Sequence, residues 1–237
     1  ATSYIGAHLV FIDVDMETLG LSPKAVKNWL EKNAELKKGV CYNKNTGRRV
    51  KACVPMHTFG HPVKMDELVQ ICNEWHLELV EDAAESIGSL YKGKHTGTFG
   101  TVGVISFNGN KTITTGGGGM LLVQDEKLGK LAKHLTTQAK VSHRWAFVHD
   151  YIGYNYRMPN INAALGCAQL ENLDCYIENK RETAQIYADF FKNISNITFF
   201  TEPENCRSNY WLNVVMLKDK VAQQDFLKYT NDHGVMT

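Results

Sequence analysis

Short apolar, β-branched runs alternate along this chain with helix-spaced stretches, and that alternation constrains its fold more than any other feature. Parallel neighbours in a sheet need a crossover between them, usually a helix, so the pattern predicts an α/β layer structure. The strand-like runs are His8–Asp15, Leu77–Val80, Val102–Phe107, Met120–Val123, Ile197–Phe200 and Trp211–Leu217. Ser22-Pro23 is a hydroxyl cap followed by a proline suited to a first helical turn, and Ala25, Val26, Trp29 and Leu30 then share one face. Met65–Trp75, Asp125–Thr136, Ile161–Leu173, Tyr176–Phe191 and Ala222–Tyr229 read as further helices, with a break near Asp174. Val40–Tyr42 and Val50–Val54 flank the polar stretch Asn43–Arg49, which predicts a hairpin. The expected fold is a mixed, mainly parallel sheet flanked by helices. Residues 1–175 would form the large domain, and residues 176–237 an interdomain helix and the start of a smaller α+β lobe.

Charge and cysteine usage exclude several function classes. Lys and Arg number 26 against 25 Asp and Glu, so no strong basic field exists to favour nucleic acid or an acidic membrane. No apolar run approaches the roughly 20 residues that span a bilayer. The six cysteines are scattered without a CxxC pair, in a chain long enough to build a core without disulfides. Nothing at the N-terminus resembles a secretion signal, so the reduced cytoplasm is the default location. His57 and His61 have HxxxH spacing, but Gly60 and Pro62 break any helix there, and no metal site is expected. A GxSxG nucleophile elbow is also lacking.

Three segments carry chemistry. Val80-Glu81-Asp82-Ala83-Ala84-Glu85-Ser86 closes a strand, where α/β sheets gather ligands. Its two alanines leave room for a flat ring beside a carboxylate; a turn or helix cap is the alternative reading. Ser106-Phe107-Asn108-Gly109-Asn110-Lys111 runs into Thr114-Thr115 and the glycines Gly116–Gly119. A hydroxyl and free backbone N–H groups can cradle phosphate, with Lys111 five positions past Ser106. The order fits neither a P-loop nor GxGxxG, because a strand follows the glycines, and Lys111 taken alone reads as a surface residue. Gly153-Tyr154-Asn155-Tyr156-Arg157-Met158-Pro159-Asn160 precedes the long helical region, with Asn160 as a plausible N-cap. It reads equally as a polar contact site or as loop packing.

In that order, EDAAES, SFNGNK…TTGGGG and GYNYRMPN resemble the DegT/DnrJ/EryC1/StrS sugar aminotransferase family, which has the fold-type-I pyridoxal phosphate architecture. The resemblance runs from Tyr4 to about Asp189 and continues more weakly beyond. The wording VPMHTFGHPV and FNGNK…TTGGGG is most similar to the branch acting on UDP-linked 4-keto-6-deoxy-N-acetylhexosamines, in routes to legionaminic acid or bacillosamine. The resemblance implies roles for particular residues. Lys111 matches the Schiff-base lysine, Asp82 the carboxylate that pairs with the pyridine nitrogen, and Glu85 the polar residue near the phenolic oxygen. Ala84 would pack on the ring, Ser106 would bind the phosphate, and Asn155 would reach the phosphate of a second subunit, which implies a homodimer with shared sites. A nucleotide sugar and an amino-acid donor, glutamate, are the implied small-molecule partners. A carboxylate about 4 Å from the ring nitrogen gains roughly 4 kcal/mol at an effective dielectric of 20, enough to raise the nitrogen's pKa by about three units.

The chain departs from the family pattern at Gly117, where many members carry Glu. The pattern also includes a preceding phosphate contact and stacked aromatic ring, and a longer C-terminal lobe. The expectation is therefore an architecture whose N-terminal part is absent from this chain, with a catalytically incomplete fragment or binding module as the alternative. Related dehydratases carry histidine at the lysine position, whereas this chain has Lys111.

Overall fold

The computed structural model describes residues 2–237; Ala1 lies outside them. The run His8–Asp15, expected as a strand, is extended coil: among the described residues only Val14 forms a bridge, to Leu21, while Leu9, Val10 and Phe11 stay exposed. Its apolar pattern is real, but among the described residues no named strand pairs with it.

α1 (Pro23–Asn33) begins as the sequence predicts, with Ser22 Oγ accepting a 3.3 Å bond from Ala25 N–H. It buries Val26 and Leu30. The hairpin that follows is one strand earlier than expected, formed by β1 (Ala34–Lys37) and β2 (Val40–Asn43). Lys38 and Gly39 both have positive φ, +50° and +75°, the requirement of a type I′ turn. Lysine is a poor signal for that turn, so no local pattern marks it. Tyr42 still bridges Arg49, but the chain then leaves as β3 (Ala52–Cys53) for the main sheet.

α2 (Met65–Glu74) buries Met65, Leu68, Ile71 and Cys72 and carries the chain back to β4 (Glu78–Asp82), parallel to β3. A small hairpin of β5 (Leu90–Tyr91) and β6 (Lys94–His95) precedes β7 (Val102–Ser106), which is parallel to β4. β8 (Gly119–Leu122) pairs antiparallel with β7, giving the order β3-β4-β7-β8. This is the mixed sheet expected.

α3 (Glu126–Thr136) is capped by Asp125, whose Oδ1 accepts from Leu128 N–H at 2.6 Å. α4 (Asn160–Glu171) starts on Asn160 itself; Pro159 holds the cap position, so the predicted Asn160 cap is not used. The break expected near Asp174 falls at Asn172, before α5 (Leu173–Phe191). Residue 176, taken as the start of the interdomain helix, lies inside α5, which begins at Leu173. β9 (Ile197–Phe199), β10 (Cys206–Arg207), β11 (Val215–Leu217) and α6 (Lys220–Asp232) complete the chain. β10 pairs with β5 of the first half, and β9 pairs with β11. Trp211, read as the first residue of the last strand, lies outside β11 in a segment that turns back towards the sheet. Among the described residues no helix is long and apolar enough to cross a membrane.

A core cluster of Ala83, Ile87, Ile105, Phe107 and Ile113, flanked by Leu122, Met158, Leu173 and Tyr176, supports the carboxyl ends of β4 and β7. Every chemically promising residue but Asn155 emerges from the rim of this cluster or from the segment packed over it.

Candidate active site

Asp82 ends β4 and Ser106 ends β7, and the register Asp82↔Val104 puts them at the same edge of two adjacent parallel strands. That edge is where α/β sheets bind ligands. Asp82 Oδ1 accepts from Ala84 N–H at 3.1 Å, and among the described residues its other oxygen has no protein partner. Ser106 Oγ accepts from Asn108 N–H at 3.3 Å, so its hydroxyl proton remains free to donate. Ala83 is fully buried and Ala84 half-buried, leaving a small-residue floor after the carboxylate.

Lys111 is not a surface lysine. Its side chain is 12% exposed and its Nζ lies 3.6 Å from Oε1 of Glu85, itself 16% exposed. The other oxygen of Glu85 accepts a 2.8 Å bond from Phe59 N–H. Phe59 has φ +59°, a left-handed conformation that bulky residues adopt only when their surroundings impose it. The segment around residue 59 therefore aims its N–H at the lysine's carboxylate partner.

A buried asparagine that sequence reasoning missed ties these parts together. Asn209 Nδ2 is placed 2.9 Å from Glu85 O, 2.9 Å from Ile87 O and 3.3 Å from Thr112 Oγ1. Its Oδ1 accepts from Trp211 N–H at 2.9 Å. It thus clamps the acidic turn to the lysine loop. Gly60, at φ +93°, passes so close that a Cβ there would sit 1.9 Å from Asn209 Oδ1. No motif marks Asn209; the acceptors of its Nδ2 lie 97 to 124 residues away, beyond the reach of spacing arguments. Trp211 was missed as well: its ring lies 4.1 Å from Lys111 Nζ, and its Nε1–H donates to Asn110 O at 2.7 Å.

Behind the site, His57 and Glu81 form a fully buried pair. Glu81 accepts from the backbone N–H groups of Gly97, Phe99 and Gly100 at 2.7, 2.6 and 2.7 Å. Burial pushes its carboxyl up, but the His57 bond and the N–H groups of Gly100 and Gly97 outweigh it and hold it below the ordinary value. His61, also buried, has neither ring nitrogen hydrogen-bonded and sits edge-on to Phe200 and Tyr210. Neither histidine belongs to a metal cluster among the described residues.

Asn155 does not join the lysine cluster. It is exposed, bridges Thr137 and lies 3.5 Å from Arg157 Nε. The glycine run and the Tyr156–Pro159 stretch do meet, around a groove of about 590 Å³ that also takes in Asn162. The fit is tight at Gly119, where a Cβ would lie 2.6 Å from Ile105 O, while Gly117 faces open space.

Comparison with known proteins places this arrangement. The model of the DegT/DnrJ/EryC1/StrS aminotransferase family matches residues 1–237. The "Putative pyridoxal phosphate-dependent aminotransferase EpsN" of Bacillus subtilis (strain 168) is 38% identical over 226 residues, covering 95% of this chain and 55% of that protein. GDP-perosamine synthase of Escherichia coli O157:H7 is 36% identical over 238 residues, covering 100% of this chain and 60% of its own length. The crystal structure of the aminotransferase TlmJ from Streptoalloteichus hindustanus superposes with a TM-score of 0.87 at 28% identity, over 99% of this chain and 59% of that one. The chain thus spans little more than half the length of the proteins it matches. On the family model and on two relatives above 30% identity, the chain belongs to the DegT/DnrJ/EryC1/StrS aminotransferase family, with the fold-type-I architecture.

Proposed function

We propose that this protein is a pyridoxal-phosphate-dependent aminotransferase that delivers an amino group, from glutamate, to C4 of a nucleotide-linked 4-keto-6-deoxy sugar. The observation that carries the reading is the shielded amine of Lys111 beside Glu85, next to a strand edge presenting Asp82 and Ser106. Family membership and the names of the relatives support the reaction class. For the nucleotide, the motif wording favours a UDP-linked N-acetylhexosamine. A GDP-linked sugar is the second reading, favoured by the relative named for GDP-perosamine.

The residues present fit the cofactor: an amine for its aldehyde, an unpartnered carboxylate oxygen for its ring nitrogen and a free hydroxyl proton for its phosphate. When bound, pyridoxal phosphate supplies an aldehyde and an electron-accepting ring, chemistry that no side chain offers. Lys111 Nζ would hold the group, and as a free amine beside the substrate it would take up and return the substrate carbon's proton. Asp82 stabilises positive charge on the ring nitrogen through its own fixed charge. Ala84 would pack against the flat face, and Ser106 would donate to the phosphate. Asn155 lies apart from the cluster, on a loop that exposes Trp145, Phe147, Tyr154 and Tyr156. That placement favours a homodimer in which Asn155 serves the other subunit's phosphate. In this reading residues 1–175 supply the cofactor contacts, and Asn209 and Trp211 close on them from the following part of the chain.

The test is to add pyridoxal phosphate to the full-length gene product, reduce with borohydride and read the intact mass. An adduct in the wild type and none in Lys111→Ala is expected, followed by glutamate-dependent turnover of one member of a UDP-, GDP- and dTDP-4-keto-6-deoxy-sugar panel. A wild type that gains no fixed mass would mark the chain as a binding module of the same fold.

A further inference from the structure

The indole of Trp211 has no assigned part in this chemistry, yet three elements hold it against the lysine. Its backbone N–H is fixed by Asn209 Oδ1, and its carbonyl accepts from Lys180 Nζ of α5 at 3.2 Å. The preceding residues are pinned as well. Arg181 grips Glu202 with two bonds of 2.7 and 2.9 Å and donates to Ser208 O at 2.8 Å, while Ser208 N–H donates to Glu202 at 2.7 Å. The backbone that carries the ring is therefore held from behind by bonds that do not involve Lys111. Its face meets the Lys111 ammonium at 4.1 Å, and its Nε1–H holds the carbonyl of the adjacent Asn110. An aromatic face attracts a cation, most strongly when the cation is shielded from water, as Lys111 is.

We propose that Trp211 is a positioning residue whose ring is the resting place of the Lys111 ammonium whenever the lysine is not covalently engaged. This rests on the reading of Lys111 as the cofactor-holding amine. In that reading the ammonium and the aldehyde combine to a protonated imine and one water, so the charge is conserved and only its position changes. Nζ must leave the ring face to reach the aldehyde carbon. The indole therefore favours the free-lysine side of that equilibrium and steadies the lysine each time an incoming amine displaces it.

The consequence is opposite to that of a merely structural role. Trp211→Phe and Trp211→Leu both lose the bond to Asn110, but only Phe keeps an aromatic face. The full-length apoprotein is titrated with pyridoxal phosphate, and the borohydride-fixed fraction at each concentration is read by intact mass. Trp211→Leu is expected to form the adduct at roughly threefold lower cofactor concentration than Trp211→Phe, the size of one modest cation–π contact. Trp211→Met carries the same expectation and replaces Leu if that variant does not fold. An aliphatic variant that needs as much cofactor as Phe, or more, overturns the proposal. Lys111→Ala run in parallel keeps the two readings separate: an adduct persisting there overturns Lys111 as the anchor and with it the function proposed above.

Discussion

His57 Nε2 lies 3.2 Å from Glu81 Oε2, and neither side chain reaches solvent. Val63 N–H donates to His57 Nδ1 at 3.3 Å, so that nitrogen carries a lone pair and the ring proton sits on Nε2, facing the carboxylate. The pair is a neutral imidazole donating to a carboxylate that also collects three backbone N–H groups. Glu81→Gln replaces one acceptor oxygen with a donor that faces donors. The expected loss is about 3 kcal/mol of unfolding free energy, measured as a lower urea midpoint at unchanged slope. The carboxyl of Glu81 sits below its ordinary value of 4.5, so its contribution is complete above pH 4.5 and disappears as pH falls below that. The variant should lack this acid-side loss.

His61 predicts a separate pH effect. Burial lowers its imidazole to about 4 from an ordinary 6.5, with the charge of Glu202 pulling the other way. Between those values the unfolded chain binds a proton that the folded chain does not, so stability falls as pH drops from 6.5 to about 4. His61→Phe removes up to about 3 kcal/mol of that fall and the two unpartnered nitrogens with it. Denaturant melts at pH 7 and pH 5 check this; equal pH dependence in wild type and variant would show that His61 is not responsible.

Asn209→Ala leaves Glu85 O, Ile87 O and Thr112 Oγ1 without their common donor. A loss of about 3 kcal/mol is expected for several buried groups left unpaired. Amide exchange should quicken at Lys111–Thr112 while α1 is unchanged. Gly60→Ala should be at least as damaging, because it combines the 1.9 Å approach to Asn209 with a left-handed backbone.

Asp82→Asn keeps an acceptor for Ala84 N–H and removes only the charge. If that charge serves the ring nitrogen, the roughly 4 kcal/mol attributed to it corresponds to a fall in kcat of about 10²–10³. Cofactor-dependent turnover by the full-length protein, compared with its melting temperature, separates this from misfolding. A variant with wild-type kcat would remove Asp82 from the chemistry.

Local signals in the sequence revealed much of this structure. Ser22 before Pro23, Asp125 before Glu126 and the β-branched run at residues 102–106 are decided by neighbours within a few positions, and each forms the expected element. The placement of Asp82 and Ser106 at strand ends was legible, because an apolar run leads into each. What escaped was decided at long range. The run at residues 8–15 has the composition of a strand but no pairing partner, and the hairpin at residues 34–43 turns on a lysine with positive φ. Lys111 shows both sides. Its distance from Ser106 pointed to a role, but the carboxylate and indole that shield it come from residues 26 positions before it and 100 after it.

The clamp at Asn209 also sets a timetable. Ser208 closes on Gly60 across 148 residues, and Asn209 on Thr112 across 97. Contacts of such separation are late to form, because the intervening chain must be ordered first. At typical rates of synthesis, 97 residues take roughly 5–20 s to emerge. The loop bearing Lys111 is therefore made early and locked late, and it waits through that interval for a fastener encoded 97 residues after Thr112.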